Sequence, residues 1–364
     1  MKLHQILKEL QNWAPFQYQE SYDNSGLLVG SVDSDIHKIL ISLDITESVI
    51  KEAIEGRFNL IISHHPIIFS GIKSLTGKNE EERVLLSAIK NDIAIIAMHT
   101  NLDNVHHGVN STISKKLGLL NTEILKPKNG TLKKLTVFIP EKHHDIVRKA
   151  VFEAGAGHIG NYKECSFGVS GTGTFKAEEL SNPFVGVVNQ FHEESEIRME
   201  TVFPANLQSK VIQAIIKSHP YEEPAYDIYS LDNKNLKIGA GIIGDLPEPM
   251  EEKDFLNFLK EQLQTNCVRH TSFRNKKVSK VALCGGSGSF LIKDAKAAKA
   301  DIFITGDVKY HDFFEANNHL MIADVGHYES EQFTKDLIGE FLIKIFPNFA
   351  VQISEHHTNP IKYF

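Results

Sequence analysis

Apolar and polar positions along the chain follow one regime in the outer thirds and another in the middle. The opening MKLHQILKELQNW places Leu3, Ile6, Leu7 and Leu10 at helical spacing, which predicts an amphipathic helix ended near Pro15. The turn formers Asp23, Asn24 and Gly26 of DNSGLLVGS lead into a short apolar strand. HKILISLDIT, NLIIS and DIAIIAM then read as buried strands. Helical patterns separate them, the first with Val49, Ile50, Ala53 and Ile54 on one face. Apolar runs of this length, unbroken by polar positions and alternating with helices, mark a mostly parallel sheet covered on both faces. From about residue 236 the regime returns. KIGAGIIGDL, KVALCGGSGSF, DIFITGDVKYHD and LMIADVG read as strands, and EEKDFLNFLKEQL and LIKDAKAAKA as helices. HYESEQFTKDLIGEFLIKIF reads as one long last helix.

The middle is patterned differently. KKLTVFIP, KHHDIVRKAVFEAGAG and ECSFGVSGTGTFK give strand, helix, strand over 133–176. After a polar interval without a clear element, EIRMETVFP, ANLQSKVIQAIIKSHP and AYDIYSL repeat the plan over 196–231. Each first strand ends in apolar-x-Pro, at Pro140 and Pro204. A duplicated β-α-β unit is the mark of a ferredoxin-like split domain. Its boundaries are expected at the polar turns KPKNGT and DNKN. The expected organisation is therefore an α/β domain in two parts, 1–128 and 236–364, with mostly parallel or mixed sheets and helices on both faces. A ferredoxin-like α+β insert, 129–235, interrupts it.

Composition narrows the chemistry. With 41% hydrophobic residues and a net charge of −7, the chain is globular, and its acidic balance argues against nucleic acid as a partner. No apolar run reaches the roughly 18 residues of a membrane span, and no signal-peptide core follows the first helix. The three cysteines, Cys165, Cys267 and Cys284, form no C-x-x-C pair. That excludes a disulfide framework or a thiolate zinc site, and it suits the cytoplasm. Against this stand 18 histidines, several in doublets. A metal in this chain would be held by nitrogen and oxygen.

Three segments put ligand-type side chains just past an apolar strand, where sites form in open α/β sheets. ISHHPI offers His64 and His65, which on an extended chain point to opposite sides and so can each serve a different ion. Alone, they read as well as one buried and one exposed structural histidine. HTNLD offers His99 and Asp103, although Asp103 by itself is good turn chemistry. GHYESE offers His327 and Glu331 at i, i+4 on one helical face. Glu331 suits a helix N-terminus, whereas a cationic His327 would be disfavoured there unless a metal kept its imidazole neutral. Together, at what reads as one sheet edge, three histidines (His64, His65 and His327) with Asp103 and Glu331 overfill a tetrahedral site. With Glu331 bridging, they fit two ions about 3.5–4 Å apart.

DNSGLLVG, ISHHPIIF, HTNLD, GGSGSF, DIFITGDVKYHD and GHYESE, in that order, make the chain resemble the NIF-three-like family of dinuclear metal proteins. Many of that family's members carry the name GTP cyclohydrolase I type 2 homologue. The resemblance covers essentially the whole chain. It implies that His64, His65, Asp103, His327 and Glu331 bind two divalent cations per chain, with Glu331 shared. Zinc is the expected metal, with manganese or iron as alternatives. It also implies a ring-like homohexamer, and an insert similar to PII/CutA ferredoxin-like domains.

His99 is not a usual direct ligand of that family; it is expected beside the metals as a catalytic general base or as an orienting neighbour, although a structural hydrogen bond serves equally. Asp44 is expected to orient a ligand histidine or to cap a helix. The glycines of CGGSGSF invite a phosphate cradle, but a tight turn fits better because the Walker lysine is missing. Asp307, Lys309 and His311 are expected to face a substrate or to form a surface turn. The doublets at 106, 143 and 356 receive no metal. The leading expectation is a hydrolase that activates water on its metals, acting on a nucleotide or another small molecule. The alternative is a non-catalytic metal-binding scaffold or regulator whose insert binds a small molecule or partner.

Overall fold

The computed structural model describes all 364 residues. Contacts divide them into two compact units, Met1–Pro127 with Leu236–Phe364, and Lys128–Asn235.

The first unit contains two sheets. The five-stranded sheet has the order β1 (Gly26–Val29), β4 (Ala94–Ala97), β3 (Leu60–Ser63), β2 (Lys38–Ser42) and β15 (Ala350–Ile353). All its neighbours run parallel except β1, which pairs antiparallel with β4. The six-stranded sheet has the order β11 (Arg269–His270), β14 (Met321–Asp324), β13 (Ile302–Gly306), β12 (Lys277–Ser287), β10 (Gly239–Glu251) and β5 (Leu120–Pro127). Only β12, β13 and β14 are mutually parallel. The fold is thus mixed α/β.

Strand periodicity explains why these runs are apolar throughout. In the first sheet Ile39, Ile41, Leu60, Ile62 and Ile96 face one core. The residues between them, Leu40, Ile61 and Ile95, face a second core under the helices Glu47–Glu55 and Glu80–Lys90. The second sheet repeats this: Val281, Leu283, Ile302 and Ile304 join the first core, while Ala282, Phe303 and Ile322 form a third. The inner faces of both sheets therefore share one core, into which the first helix, Leu3–Trp13, also sends its apolar stripe. Each such buried Leu or Ile contributes about 1.5–3 kcal/mol relative to exposure.

The second unit has the order β7 (Ser166–Lys176), β8 (Phe191–Pro204), β6 (Leu132–Pro140) and β9 (Tyr226–Ser230), with every pair antiparallel. Its helices His144–Glu153 and Gln208–Ser218 cover one core built on Leu135, Val137, Ile139 and Met199. The strand–helix–strand plan occurs twice. β8 begins earlier than its apolar pattern, inside the supposed polar interval, because its first residues pair with β7.

Two details differ from the sequence reading. The long last helix is two helices, His327–Glu331 and Thr334–Ile345, broken where Phe333 turns into the core. The chain then adds β15 to the first sheet, a four-residue strand whose Ala350 and Gln352 are exposed.

Candidate metal centre

His64 and His65 follow β3 directly, and their amides are pinned to the carbonyls of Ser42 and Leu43 at 3.2 and 2.9 Å. His99 and Asp103 follow β4, and His327 and Glu331 follow β14. The ligand segments therefore leave two sheets rather than the single edge expected from sequence. The C-terminal ends of both sheets meet over the shared core, and the cluster forms between them. Strand pairing is non-local, so nothing in the segments themselves reveals it.

The cluster divides into two trios that share Glu331. In the first, His64 is fully buried and its Nδ1 donates to the Met98 carbonyl at 2.7 Å, which leaves Nε2 as an acceptor. That Nε2 lies 3.6 Å from Glu331 Oε1 and 3.8 Å from Asp103 Oδ1. Neither His64 Nε2 nor Asp103 Oδ1 has a hydrogen-bond partner, although both atoms are buried. Buried acceptors left bare cost free energy unless something binds them. Facing nitrogen and oxygen acceptors are the donor set of a divalent cation such as zinc or manganese.

In the second trio, His65 Nε2 and His327 Nε2 lie 2.9 and 3.0 Å from Glu331 Oε2, and 3.2 Å from each other. Each imidazole gives its Nδ1–H to a carboxylate at 2.7 Å, His65 to Asp44 and His327 to Asp307. Such carboxylate–histidine pairs fix the tautomer and aim the other nitrogen at a metal. Asp44 in turn accepts from Thr358 Oγ1 at 2.6 Å, and Asp307 from Ser287 Oγ at 2.7 Å. Asp44 is thus an orienting group, while Thr46 caps the following helix. Asp307 buttresses His327, whereas Lys309 and His311 are exposed and absent from the cavity walls.

Gly286 makes room for the shared carboxylate. It has φ +62°, and a Cβ there would lie 2.3 Å from Glu331 Oε1. The neighbouring amides are already engaged: Gly285 donates to Asn110 Oδ1, Gly286 to Ser330 Oγ and Gly288 to Thr305 Oγ1, at 2.8–2.9 Å. The loop is a strand-end turn whose three glycine amides are taken up within the protein.

Electrostatics pull the groups apart. Burial opposes the charge on Glu331, but the imidazoles of His64 and His327 outweigh it and hold its carboxyl well below the usual range. Asp103 moves the other way, to about 8, through burial and the Glu331 charge. Burial lowers the pKa of His65, yet Asp44 and Glu331 raise it to about 10. His327 rises to about 9 against burial because Glu331 and Asp307 flank it. The helix-dipole objection to a cationic His327 is thus outweighed by two carboxylates.

His99 stands beside the trios. It offers a ring nitrogen within 4.8 Å of those of His64 and His65, while its Nδ1–H goes to Asp23 Oδ1 at 2.7 Å. Asp23 also accepts from Ser25 Oγ, from the Thr100 amide and from the Thr100 hydroxyl. Those bonds and the His99 charge overcome burial and hold its carboxyl far below the usual range. Asp23 is an anchor the sequence reading missed, because its DN-S-G setting looks like turn chemistry alone. Three groups of cluster residues could each hold an ion: His65–His327–Glu331, His64–Asp103–Glu331 and His64–His65–His99. None of the other histidine doublets joins a group.

The centre opens into a cavity of about 490 Å³. Besides the cluster residues, its walls carry Glu20, Tyr22, Phe69 and Phe290, so an aromatic wall and a carboxylate do face the site. These residues come from three loops far apart in sequence, which hides the pocket from any local pattern.

The family model of Duf34/NIF3 (NGG1p interacting factor 3) matches residues 1–360. A Bacillus subtilis protein named GTP cyclohydrolase 1 type 2 homolog is 40% identical over 99% of this chain and 98% of its own length. Among solved structures, a Bacillus cereus protein related to NIF3 superposes with a TM-score of 0.86 at 39% identity, covering 100% of this chain and 99% of that one. A Staphylococcus aureus protein gives 0.79 at 32% identity, with 100% and 99% covered. No helix is long and apolar enough to cross a membrane.

Proposed function

The chain belongs to the Duf34/NIF3 family, and from that footing we propose that it is a dinuclear divalent-metal hydrolase acting on a nucleotide. The observation that carries the reading is the division of Glu331. One of its oxygens faces His64 and Asp103, whose own facing atoms are bare, and the other faces His65 and His327. In this reading about two cations are held, one by each trio, with Glu331 as the bridge. Zinc fits the nitrogen-rich donor set best, with manganese or iron as alternatives. Cations held there would supply Lewis acidity toward water and toward a substrate oxygen.

The protein's own residues do the rest. His99, its Nδ1 proton committed to Asp23, keeps Nε2 free to take a proton from water, which is the role of a general base. Asp44 and Asp307 keep the Nε2 atoms of His65 and His327 aimed at the bridge. Tyr22, Phe69 and Phe290 offer faces on which a planar base could rest, with Glu20 as a hydrogen-bond acceptor. The substrate class draws on these walls and on the name that relatives carry, GTP cyclohydrolase 1 type 2 homolog. The same reading includes a homohexamer in the cytoplasm, with residues 129–235 as a ferredoxin-like insert, and light scattering on the pure protein checks the assembly.

The test is a nucleotide and phosphoester hydrolysis screen on zinc- or manganese-loaded protein, with His65→Ala as the blank. The reading expects turnover of at least one nucleotide that collapses in His65→Ala and in His99→Ala. Full metal loading with no turnover above the blank would contradict the hydrolase and favour a metal-binding scaffold.

A further inference from the structure

Residues 354–364 follow the last strand, yet they bond to two carboxylates that stand behind the cluster, Asp44 and Glu329. β15 leaves the chain at the C-terminal edge of the first sheet. There Ser354 N donates to Ile41 O at 2.8 Å, and its hydroxyl donates to Glu52 Oε2 at 2.5 Å. Beyond it the His357 ring lies over Tyr328, with centroids 4.5 Å apart. The next two residues diverge. Thr358 Oγ1 donates to Asp44 Oδ2 at 2.6 Å, on the carboxylate whose other oxygen holds His65 Nδ1. Asn359, 7% exposed, gives its side-chain amide to Glu329 Oε1 at 3.1 Å. Glu329 belongs to the short helix that carries His327 and Glu331. The two neighbouring side chains thus reach the strand-end segments of different sheets, Thr358 the one after β2 and Asn359 the one after β14.

We propose that this C-terminal segment is a strap that sets the geometry of the metal cluster, with Thr358 and Asn359 as its positioning residues. The proposal rests on the dinuclear reading above. An aspartate held at one oxygen only can rotate, and the imidazole it aims rotates with it. Thr358 holds the second oxygen of Asp44 and so fixes where His65 Nε2 points. Asn359 holds the helix that presents the shared carboxylate. A strap across two sheets also suits a site assembled from both, because no single strand end fixes the spacing between the trios.

The experiment compares wild type with Thr358→Val, Thr358→Ser and Asn359→Ala. Zinc affinity is read by competition with a chromophoric chelator. Melting temperature and the histidine ring ¹⁵N–¹H spectrum are recorded on metal-stripped protein. Valine keeps the shape of threonine and loses only the hydroxyl. Thr358→Val should weaken one of the two zinc equivalents roughly tenfold, the lower end of what loss of an orienting partner costs. The melting temperature should stay unchanged, and Thr358→Ser should restore the affinity. Asn359→Ala should weaken both equivalents. In metal-free protein the His65 Nδ1 proton should move upfield in Thr358→Val and return in Thr358→Ser. Equal zinc affinities in all four proteins with an unmoved His65 proton would overturn the strap, as would an equal loss at both equivalents in Thr358→Val that follows a fall in melting temperature. Failure of the dinuclear reading looks different: wild type itself takes up fewer than two equivalents, while the His65 proton still responds to Thr358.

Discussion

The two trios around Glu331 use the same ligand types but are held in different ways. His64 has no exposed side-chain surface and hangs from a backbone carbonyl, that of Met98. His65 and His327 are 18% and 32% exposed, and each hangs from an aspartate. The Met98 carbonyl stands one residue past β4 and cannot be moved without moving the end of that strand. An aspartate carries charge, can rotate, and needs a partner of its own. In the inner trio His64 is therefore held by the fold itself, while the imidazoles of the outer trio are tunable and depend, through Asp44 and Asp307, on Thr358 and Ser287.

The largest effect should come from removing what the trios share. Glu331→Ala takes a ligand from each, so the purified, zinc-incubated protein should hold well under one ion per chain by elemental analysis. Retention of both ions would break the bridging assignment. Next come single-trio ligands. Asp103→Asn removes the anionic ligand of the inner trio alone and should leave roughly one ion per chain; loss of both would mean that the trios are not separable. The buttresses follow. Asp44→Asn and Asp307→Asn should weaken only the outer position, by about 10–100-fold, with the inner affinity unchanged in a two-site zinc titration.

The smallest effect is the pH dependence, and it too separates the trios. The pKa values of His65 and His327 lie near 10 and 9, above the 6.5 of a free histidine. A cation at the outer position must displace their protons, so its affinity should keep rising up to about pH 9 instead of levelling near 7. In metal-free protein both histidines contribute stability in full below their unfolded value and lose it as pH rises through 9 and 10. Asp103, raised to about 8, loses its contribution in the same direction. Metal-free protein should therefore melt lower at pH 9 than at pH 7, and zinc should close that gap. A melting temperature that rises over this window without metal would contradict the assignment.

Much of this was legible in the sequence, and the parts that were not share one cause. LIIS, DIAIIAM and LMIAD read as buried strands because both of their faces are covered, and the candidate ligands stand out because they follow those strand ends. Asp44 also follows a strand, but the sequence leaves orienting and capping both open, and only the fold shows His65 hanging on it. What the pattern could not carry was pairing between distant segments. That includes the division of the strands into two sheets, the return of Ala350–Ile353 to β2, and the meeting of Glu20, Tyr22, Phe69 and Phe290 over the cluster. Asp23 and Asp307 were hidden for a related reason. In sequence each looks like a turn residue, and only the fold shows that a histidine from another segment hangs on each.

In the proposed centre one carboxylate joins two ion positions. Crystals of the zinc-soaked protein, measured on both sides of the zinc absorption edge, test it most directly. Two anomalous peaks about 3.5–4 Å apart are predicted, one within reach of His64 and Asp103 and the other within reach of His65 and His327, with Glu331 contacting both. A single peak at full zinc occupancy, or two peaks of which only one touches Glu331, would contradict it.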